Sequence, residues 1–291
     1  SIVLISEALA ARGFIVHVVL ANKLGSDRIK QSVTLRLHVL GDGGVLGAVP
    51  RFAALIRELK PDFVFSVMQH ASVASYIAIK LSRISPLLIA SERDNPDPQV
   101  IGRFLNFKSR FKLWCLYKCL RIVYSRAHRV HAVSKGVAAA IAKEIKINPE
   151  KIIQIPNPVD FRWMAAARSS MLDKDLNDAS MPTILAMGRL TQQKDFLTLV
   201  RAFSLVRHEI CSRLVIIGEG HDRQLIEAEV EKLGLTGSVL LPGFQKNPFP
   251  WFLRANVFVL SSRWEGMPNV LLQALAFGLP VVSTDCDYGP S

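Results

Sequence analysis

SSRWEGMPNVLLQALAFGLPVV, residues 261–282, holds a strand end, a turn, a helix and the start of the next strand. The apolar run at 256–261 reads as a buried strand, and 280–284 reads as the following one. Glu265 and Gly266 come straight after the first. Pro268 suits the opening turn of a helix, where its missing N–H costs nothing. Positions 269–277 are then apolar except for Asn269 and Gln273. Strand, turn, helix and strand, with β-branched apolar strands, is the unit from which parallel sheets covered by helices are built. In such sheets ligands bind outside the carboxyl ends of the strands. The N–H groups of Gly266, Met267, Asn269 and Val270 would be available there. A plainer role for Glu265 is an acid stabilising the helix dipole. Gln273, polar on a largely buried helix, needs a partner.

The same alternation runs outward over the chain. In the second half, strands are expected at 183–188, 213–218, 238–241, 256–261 and 280–284, with helices near 194–209, 221–233, 248–254 and 268–277. In the first half, strands fall at 14–20, 33–39, 63–68, 86–91 and 129–133. Helices are expected there at 2–12, 48–59, 72–83, 100–125 and 135–145. The fold class is α/β, with two Rossmann-like domains facing across a cleft. The halves part at IPNPVD (155–160), where two prolines restrain the chain ahead of a polar stretch at 168–180. The expected division is 1–156, a linker at 157–181, and 182–291.

Two further turns in the second half repeat the pattern. MGRLTQQKDF (187–196) puts Gly188 at a strand end and then Arg189 and Lys194 at the mouth of a helix. Two cations beside free helix N–H groups suit a diphosphate; the plain alternative is two solvated charges. IIGEG (216–220) places Gly218 and Gly220 around an acid, as in a shortened dinucleotide-binding turn. A tight strand-to-helix turn explains both glycines equally well.

Taken together, GRLTQQKDF, LVIIGEG, VLLPGF, EGMPNVLLQALAFGLPVV and IPNPVD resemble the retaining GT-B glycosyltransferases of family 4 in order and spacing. ASERDNP (90–96) and VHAVSKGV (130–137) are the recognisable segments of the first half. The resemblance implies transfer of a hexose from a nucleotide diphosphate sugar, UDP before GDP, to a glycan or polyprenyl-linked acceptor. Arg189 and Lys194 would hold the donor diphosphate and stabilise it as leaving group. Glu265 would contact the hexose hydroxyls. Gly188, Gly218 and Gly220 would line the donor site, and residues from Gly266 through Met267, Pro268 and Asn269 to Val270 would meet sugar and phosphate. Gln273 stands where the family usually has a Glu that accepts both ribose hydroxyls. Many members carry a His near the strand ending at Ser91; here Glu92, Arg93 and Asp94 stand nearby, so no catalytic His is assigned. Glu92, Arg93 and His70 are the acceptor-side candidates. No metal and no separate cofactor are expected, the nucleotide sugar being a co-substrate. Relatives also begin and end with further elements, so the chain is expected to be a fragment lacking its opening strand and closing helix, inactive alone.

Charge adds one more expectation. Residues 1–160 hold 23 Lys and Arg against 11 Asp and Glu, whereas 161–291 hold 13 of each, so the whole net charge of +12 lies in the first half. Eight cations and no acid fall between Arg103 and Arg129, interleaved with Phe104, Leu105, Phe107, Phe111 and Trp114. A basic amphipathic helix of this kind suits an anionic membrane surface. The alternative is that its apolar residues pack on the sheet. A nucleic-acid binder is disfavoured, because residues 103–129 show no aromatic and glycine strand motif of an RNA-binding sheet. A GT-B-shaped UDP-sugar 2-epimerase is the rival enzyme. The four cysteines show no zinc or redox spacing, and no apolar run is long enough to span a bilayer. A cytoplasmic location, peripheral to the membrane, is the expectation.

Overall fold

The computed structural model describes residues 2–23, 29, 31–41, 44–94, 107–161, 181–286 and 288–290. The chain divides into two compact units, Ser1–Pro158 and Val159–Ser291, parting at the second proline of IPNPVD. The polar stretch expected as a connection lies mostly outside the described residues.

The second unit runs β7 (Thr183–Met187), α7 (Phe196–Glu209), β8 (Arg213–Ile217), α8 (Arg223–Lys232), β9 (Val239–Gly243), α9 (Phe249–Arg254), β10 (Val257–Leu260), α10 (Asn269–Ala276) and β11 (Val281–Ser283). Its five strands form one parallel sheet in the order β11-β10-β7-β8-β9. Successive residues of a strand point to opposite faces, so the strands other than the edge strand β11 feed two cores. Ala186, Leu214 and Ile216 pack with Phe196, Phe203 and Ile226 of α7 and α8. Leu185, Val215 and Ile217 pack with Trp251, Phe252 and Leu271 of α9 and α10. Both faces are covered, which explains why the strands read as nearly unbroken apolar runs.

The first unit holds α1 (Ile2–Ala11), β1 (Val16–Leu20), β2 (Leu35–Val39), α2 (Gly44–Gly47), α3 (Val49–Leu59), β3 (Phe63–Val67), α4 (Gln69–Ser82), β4 (Leu87–Glu92), α5 (Phe107–Arg126), β5 (Arg129–Ala132), α6 (Lys135–Ala140) and β6 (Ile152–Gln154). β1 and β2 pair in parallel by themselves, and β3-β4-β5-β6 form a separate parallel sheet. One face of the larger sheet, with Val64, Leu88, Ala90, Val130 and Ala132, is buried. On its other face Phe63, Phe65, Leu87 and Ile153 are exposed.

Three features depart from the expected boundaries. α4 starts at Gln69 rather than near residue 72, because Met68 takes a left-handed turn (φ 79°) and the helix begins at once. His70 therefore sits, exposed, in the first turn of a helix and not in a loop. The long basic helix is described from Phe107; its expected first turns at 100–106 lie outside the described residues. β6 was not expected at all, being three residues long and lacking the alternation that marks a strand.

Candidate functional site

In the second unit two strand-end loops, 188–195 after β7 and 261–268 after β10, are tied side by side. Ser261 Oγ donates to the Lys194 carbonyl at 2.7 Å, and the Arg263 N–H donates to the Gln193 carbonyl at 2.8 Å. Gln193 Nε2 donates to the Trp264 carbonyl at 3.1 Å, and Arg263 Nε donates to Asp195 Oδ2 at 2.8 Å. Asp195 itself takes the left-handed conformation (φ 47°) and caps α7 by accepting from the Thr198 N–H.

At the centre of this bracing, Lys194 Nζ donates to Glu265 Oε1. The pair is largely withdrawn from water, with side-chain exposures of 13% and 8%. Ser262 Oγ donates to the same carboxylate oxygen at 2.7 Å, and Thr284 Oγ1 holds the Ser262 carbonyl at 2.6 Å. Glu265 thus turns to Lys194 and Ser262, and no side chain caps α10. The Lys194 stem lies on Gly188, where an added Cβ would come within 3.1–3.3 Å of it. Arg189, by contrast, is exposed and forms no ion pair among the described residues.

Pro268 is the residue just before α10. The N–H groups of Gly266, Asn269 and Val270 donate no hydrogen bond among the described residues, so they remain open to a ligand. Gly266 is buried and Met267 half-buried. Further along α10, Gln273 Oε1 is buried and meets no donor among the described residues. A buried orphan acceptor costs about 1–3 kcal/mol, which a ligand hydroxyl would recover.

Gly218 and Gly220 have another demonstrable task. A Cβ on Gly218 (φ 144°) would lie 1.8 Å from the Gly188 carbonyl oxygen, and one on Gly220 would lie 2.2 Å from that of Leu190. The β8 turn is pressed onto the β7 turn, and the Leu190 N–H donates to the Glu219 carbonyl at 2.9 Å. Both glycines are required by this close packing, whatever else they meet.

In the first unit the acceptor-side candidates gather at the end of β4, except His70. Glu92 is 1% exposed. Its Oε1 accepts from the N–H groups of Arg93 (3.1 Å) and Asp94 (3.4 Å), and its Oε2 accepts from Tyr124 Oη of α5 at 3.0 Å. Burial pushes this carboxyl up to about 7, against the pull of hydrogen bonds from Gln69, Tyr124 and the two amides. Arg93 Nε donates to Ser91 Oγ at 3.4 Å.

The sequence reading missed His131. It lies on β5 opposite Ser91, and its Nδ1 is 2.7 Å from Ser91 Oγ. Its Nε2 is 2.8 Å from the Ile155 carbonyl oxygen, which can only accept, so Nε2 carries the proton and Ser91 donates to Nδ1. Burial lowers its pKa. This His is sealed into the strand end.

The chain matches two family models: that described as Glycosyltransferase Family 4 over residues 1–163, and that described as Glycosyl transferases group 1 over residues 181–291. It is 29% identical over 254 residues to an uncharacterized glycosyltransferase, MJ1059, of Methanocaldococcus jannaschii, covering 84% of this chain and 61% of that protein. It is 27% identical over 239 residues to the N-acetylgalactosamine-N,N'-diacetylbacillosaminyl-diphospho-undecaprenol 4-alpha-N-acetylgalactosaminyltransferase of Campylobacter jejuni, covering 82% and 62%. The chain thus spans about three-fifths of these relatives' length. Among solved structures, Anabaena Alr3699/HepE in complex with UDP and glucose superposes with a TM-score of 0.77 at 18% identity, covering 99% of this chain and 77% of that one. The likeness to the solved structure shows the GT-B fold.

Proposed function

The chain belongs to Glycosyltransferase Family 4, and on that footing we propose that the whole protein transfers a hexose from a nucleoside diphosphate sugar to a glycan or lipid-linked acceptor, with retention at the anomeric carbon, in polysaccharide or glycoconjugate synthesis. The observation that carries this is the Lys194–Glu265–Ser262 constellation at two braced strand ends, with Arg189, which forms no ion pair among the described residues, and the N–H groups of Gly266, Asn269 and Val270 at the start of α10. A diphosphate laid on Arg189, Lys194 and those amides would meet positive charge wherever negative charge grows as the glycosidic bond breaks. In this reading the two cations do the work of a metal. Glu265 faces the hexose hydroxyls, and the orphan Gln273 oxygen accepts from a ribose hydroxyl.

UDP-sugar is the first donor, a choice supported by the Anabaena neighbour, whose structure contains UDP and glucose. The acceptor class is supported by the Campylobacter relative, whose name specifies a diphospho-undecaprenol substrate. Among the described residues no helix is long and apolar enough to cross a membrane, yet α5 offers a surface for one. Leu120, Val123 and Tyr124 are buried on its inner side, while Phe111 and Trp114 are exposed and stacked at 5.9 Å, with Lys118 over the indole at 5.3 Å. Arg110, Lys112 and Arg121 flank them with no acid on the helix. We read this as a peripheral contact with the anionic leaflet facing the cytoplasm, worth about 1 kcal/mol per cation near the surface.

The test is a thermal-shift screen of the full-length protein against UDP- and GDP-sugars, followed by transfer assays with the donors that bind. Stabilisation by one nucleotide sugar and by its parent nucleotide diphosphate is expected. No shift with any of them would overturn the reading.

A further inference from the structure

Glu92 presents a puzzle that the donor site does not touch. It is the last residue of β4, sealed from water, and no ion pair reaches it among the described residues. Every hydrogen bond described to it comes from a donor: the N–H groups of Arg93 and Asp94, the Tyr124 hydroxyl and the Gln69 side chain. The titratable and charged groups around it are Arg93 and Asp94, which follow it, and Tyr124 from α5, which in turn adjoins Tyr117. None of these neutralises it at close range. A carboxylate buried without a counter-charge is costly, and a neutral side chain of similar size is the cheaper choice for stability. Its hydrogen bonds indicate what the cost sustains. One oxygen accepts from the backbone of the two residues that leave the strand end, the other accepts from Tyr124 of α5, and Gln69 of α4 also donates to the carboxyl.

Tyr124 extends this anchor. Its hydroxyl also meets Ser72 of α4, whose Oγ is 2.9 Å from Ser66 Oγ of β3. The carboxyl therefore fixes the start of the 93–94 segment against three neighbouring elements. Arg93 is further steadied by Ser91, which His131 holds from β5. All of these groups lie at the carboxyl end of a parallel sheet, where open α/β folds place their ligand-contacting groups.

We propose that Glu92 is a positioning residue for the acceptor: its carboxylate clamps the backbone of Arg93 and Asp94 and so, together with the Ser91 contact to Nε, sets where the half-buried Arg93 side chain leaves the strand end. This rests on the glycosyltransferase reading above. A guanidinium suits the phosphates of a diphosphate-linked glycan, because its planar fork matches phosphate oxygens. Glu92 itself, with both oxygens occupied, touches no substrate.

The test uses full-length Glu92→Gln and Tyr124→Phe proteins with two readouts. Hydrogen exchange at the Arg93 and Asp94 amides, followed by mass spectrometry, reports the clamp without needing any substrate. It is expected to quicken about tenfold in Glu92→Gln, the effect of exchanging a charge-assisted acceptor for a neutral one, and less in Tyr124→Phe. Steady-state kinetics with UDP-sugars and undecaprenyl-diphosphate-linked mono- and disaccharides reports the positioning. Acceptor KM is expected to rise about tenfold with donor KM unchanged, while the Tm of Glu92→Gln at pH 8 equals or exceeds that of wild type. Unchanged exchange at both amides overturns the clamp. Quickened exchange with an unchanged acceptor KM, or equal losses for donor and acceptor, overturns the positioning role. If wild type transfers nothing, the glycosyltransferase reading fails, and amide exchange still decides the clamp.

Discussion

Replacing Lys194 with Met in the full-length protein removes the charge and keeps most of the stem that lies on Gly188. Its cost can be worked from the structure. Breaking a fully buried ion pair by removing one partner costs about 3–5 kcal/mol, because the remaining charge is left without compensation. Here the side chains are 13% and 8% exposed, and Ser262 still donates to the stranded Glu265. The expectation therefore falls below that range, at about 2–3 kcal/mol. For a domain of about 150–250 residues that is a fall in Tm of about 4–12 °C. The catalytic loss should be much larger, about 100- to 1,000-fold in kcat, because a preorganised cation aimed at the leaving diphosphate acts chiefly in the transition state. The double variant Lys194→Met/Glu265→Gln separates the two effects. With both charges gone, most of the lost stability should return, whereas activity should not. Thermal denaturation of the four proteins of the cycle, with initial rates of sugar transfer, makes the measurement. Near-normal turnover of Lys194→Met would refute the phosphate assignment. A double variant as unstable as the sum of the singles would refute the buried pair.

Gln273→Glu should keep or improve binding of the nucleotide sugar measured by calorimetry, since a new carboxylate is tolerable there only where a ribose diol satisfies it; misfolding that ligand does not rescue would mark Gln273 as a plain interior residue. Gly218→Ala should cost about 3 kcal/mol or more in denaturant titration, its Cβ being directed at the Gly188 carbonyl, while Gly47→Ala, which meets nothing within 4 Å, serves as the neutral control. Glu92, raised from 4.5 to about 7, binds its proton more tightly folded than unfolded, so its contribution is fully present below pH 4.5 and about 3 kcal/mol is lost as pH rises through 7. Glu92→Gln should accordingly flatten that part of the stability–pH curve, and an unchanged curve would show that Glu92 does not titrate there. Sedimentation with liposomes should show binding that needs anionic lipid, fades with salt and weakens in a Phe111→Ser/Trp114→Ser variant; equal recovery in the supernatant with anionic and neutral vesicles would count against the α5 surface.

Much of this architecture was legible because the strands of the second unit, apart from the edge strand β11, are covered on both faces. Continuous runs such as LVII leave little choice of secondary structure, and the turn residues between them mark the sheet's carboxyl edge. The side-chain partnerships were not legible. Lys194 and Glu265 meet across 71 residues of sequence, as do Gln193 and Trp264, and no local pattern reports that β7 and β10 are neighbours. His131 escaped for the same reason. A search near Ser91 finds no His, but the register of β5 on β4 delivers one from 40 residues downstream. For Gly218 and Gly220 the residue type was informative and the cause was not, since only the pressing of one turn onto another shows which carbonyls a Cβ would strike.

The bracing between the loops after β7 and β10 also limits how this protein can be re-engineered. Four hydrogen bonds and the Lys194–Glu265 pair connect the loops, with partners contributed from both sides. Grafting one loop from a relative with another donor preference would strand the partners of the other, and its effects would not add to those of later changes. The two loops form a single exchangeable cassette, to be transplanted or randomised together with the Thr284 and Ser262 contact that backs it.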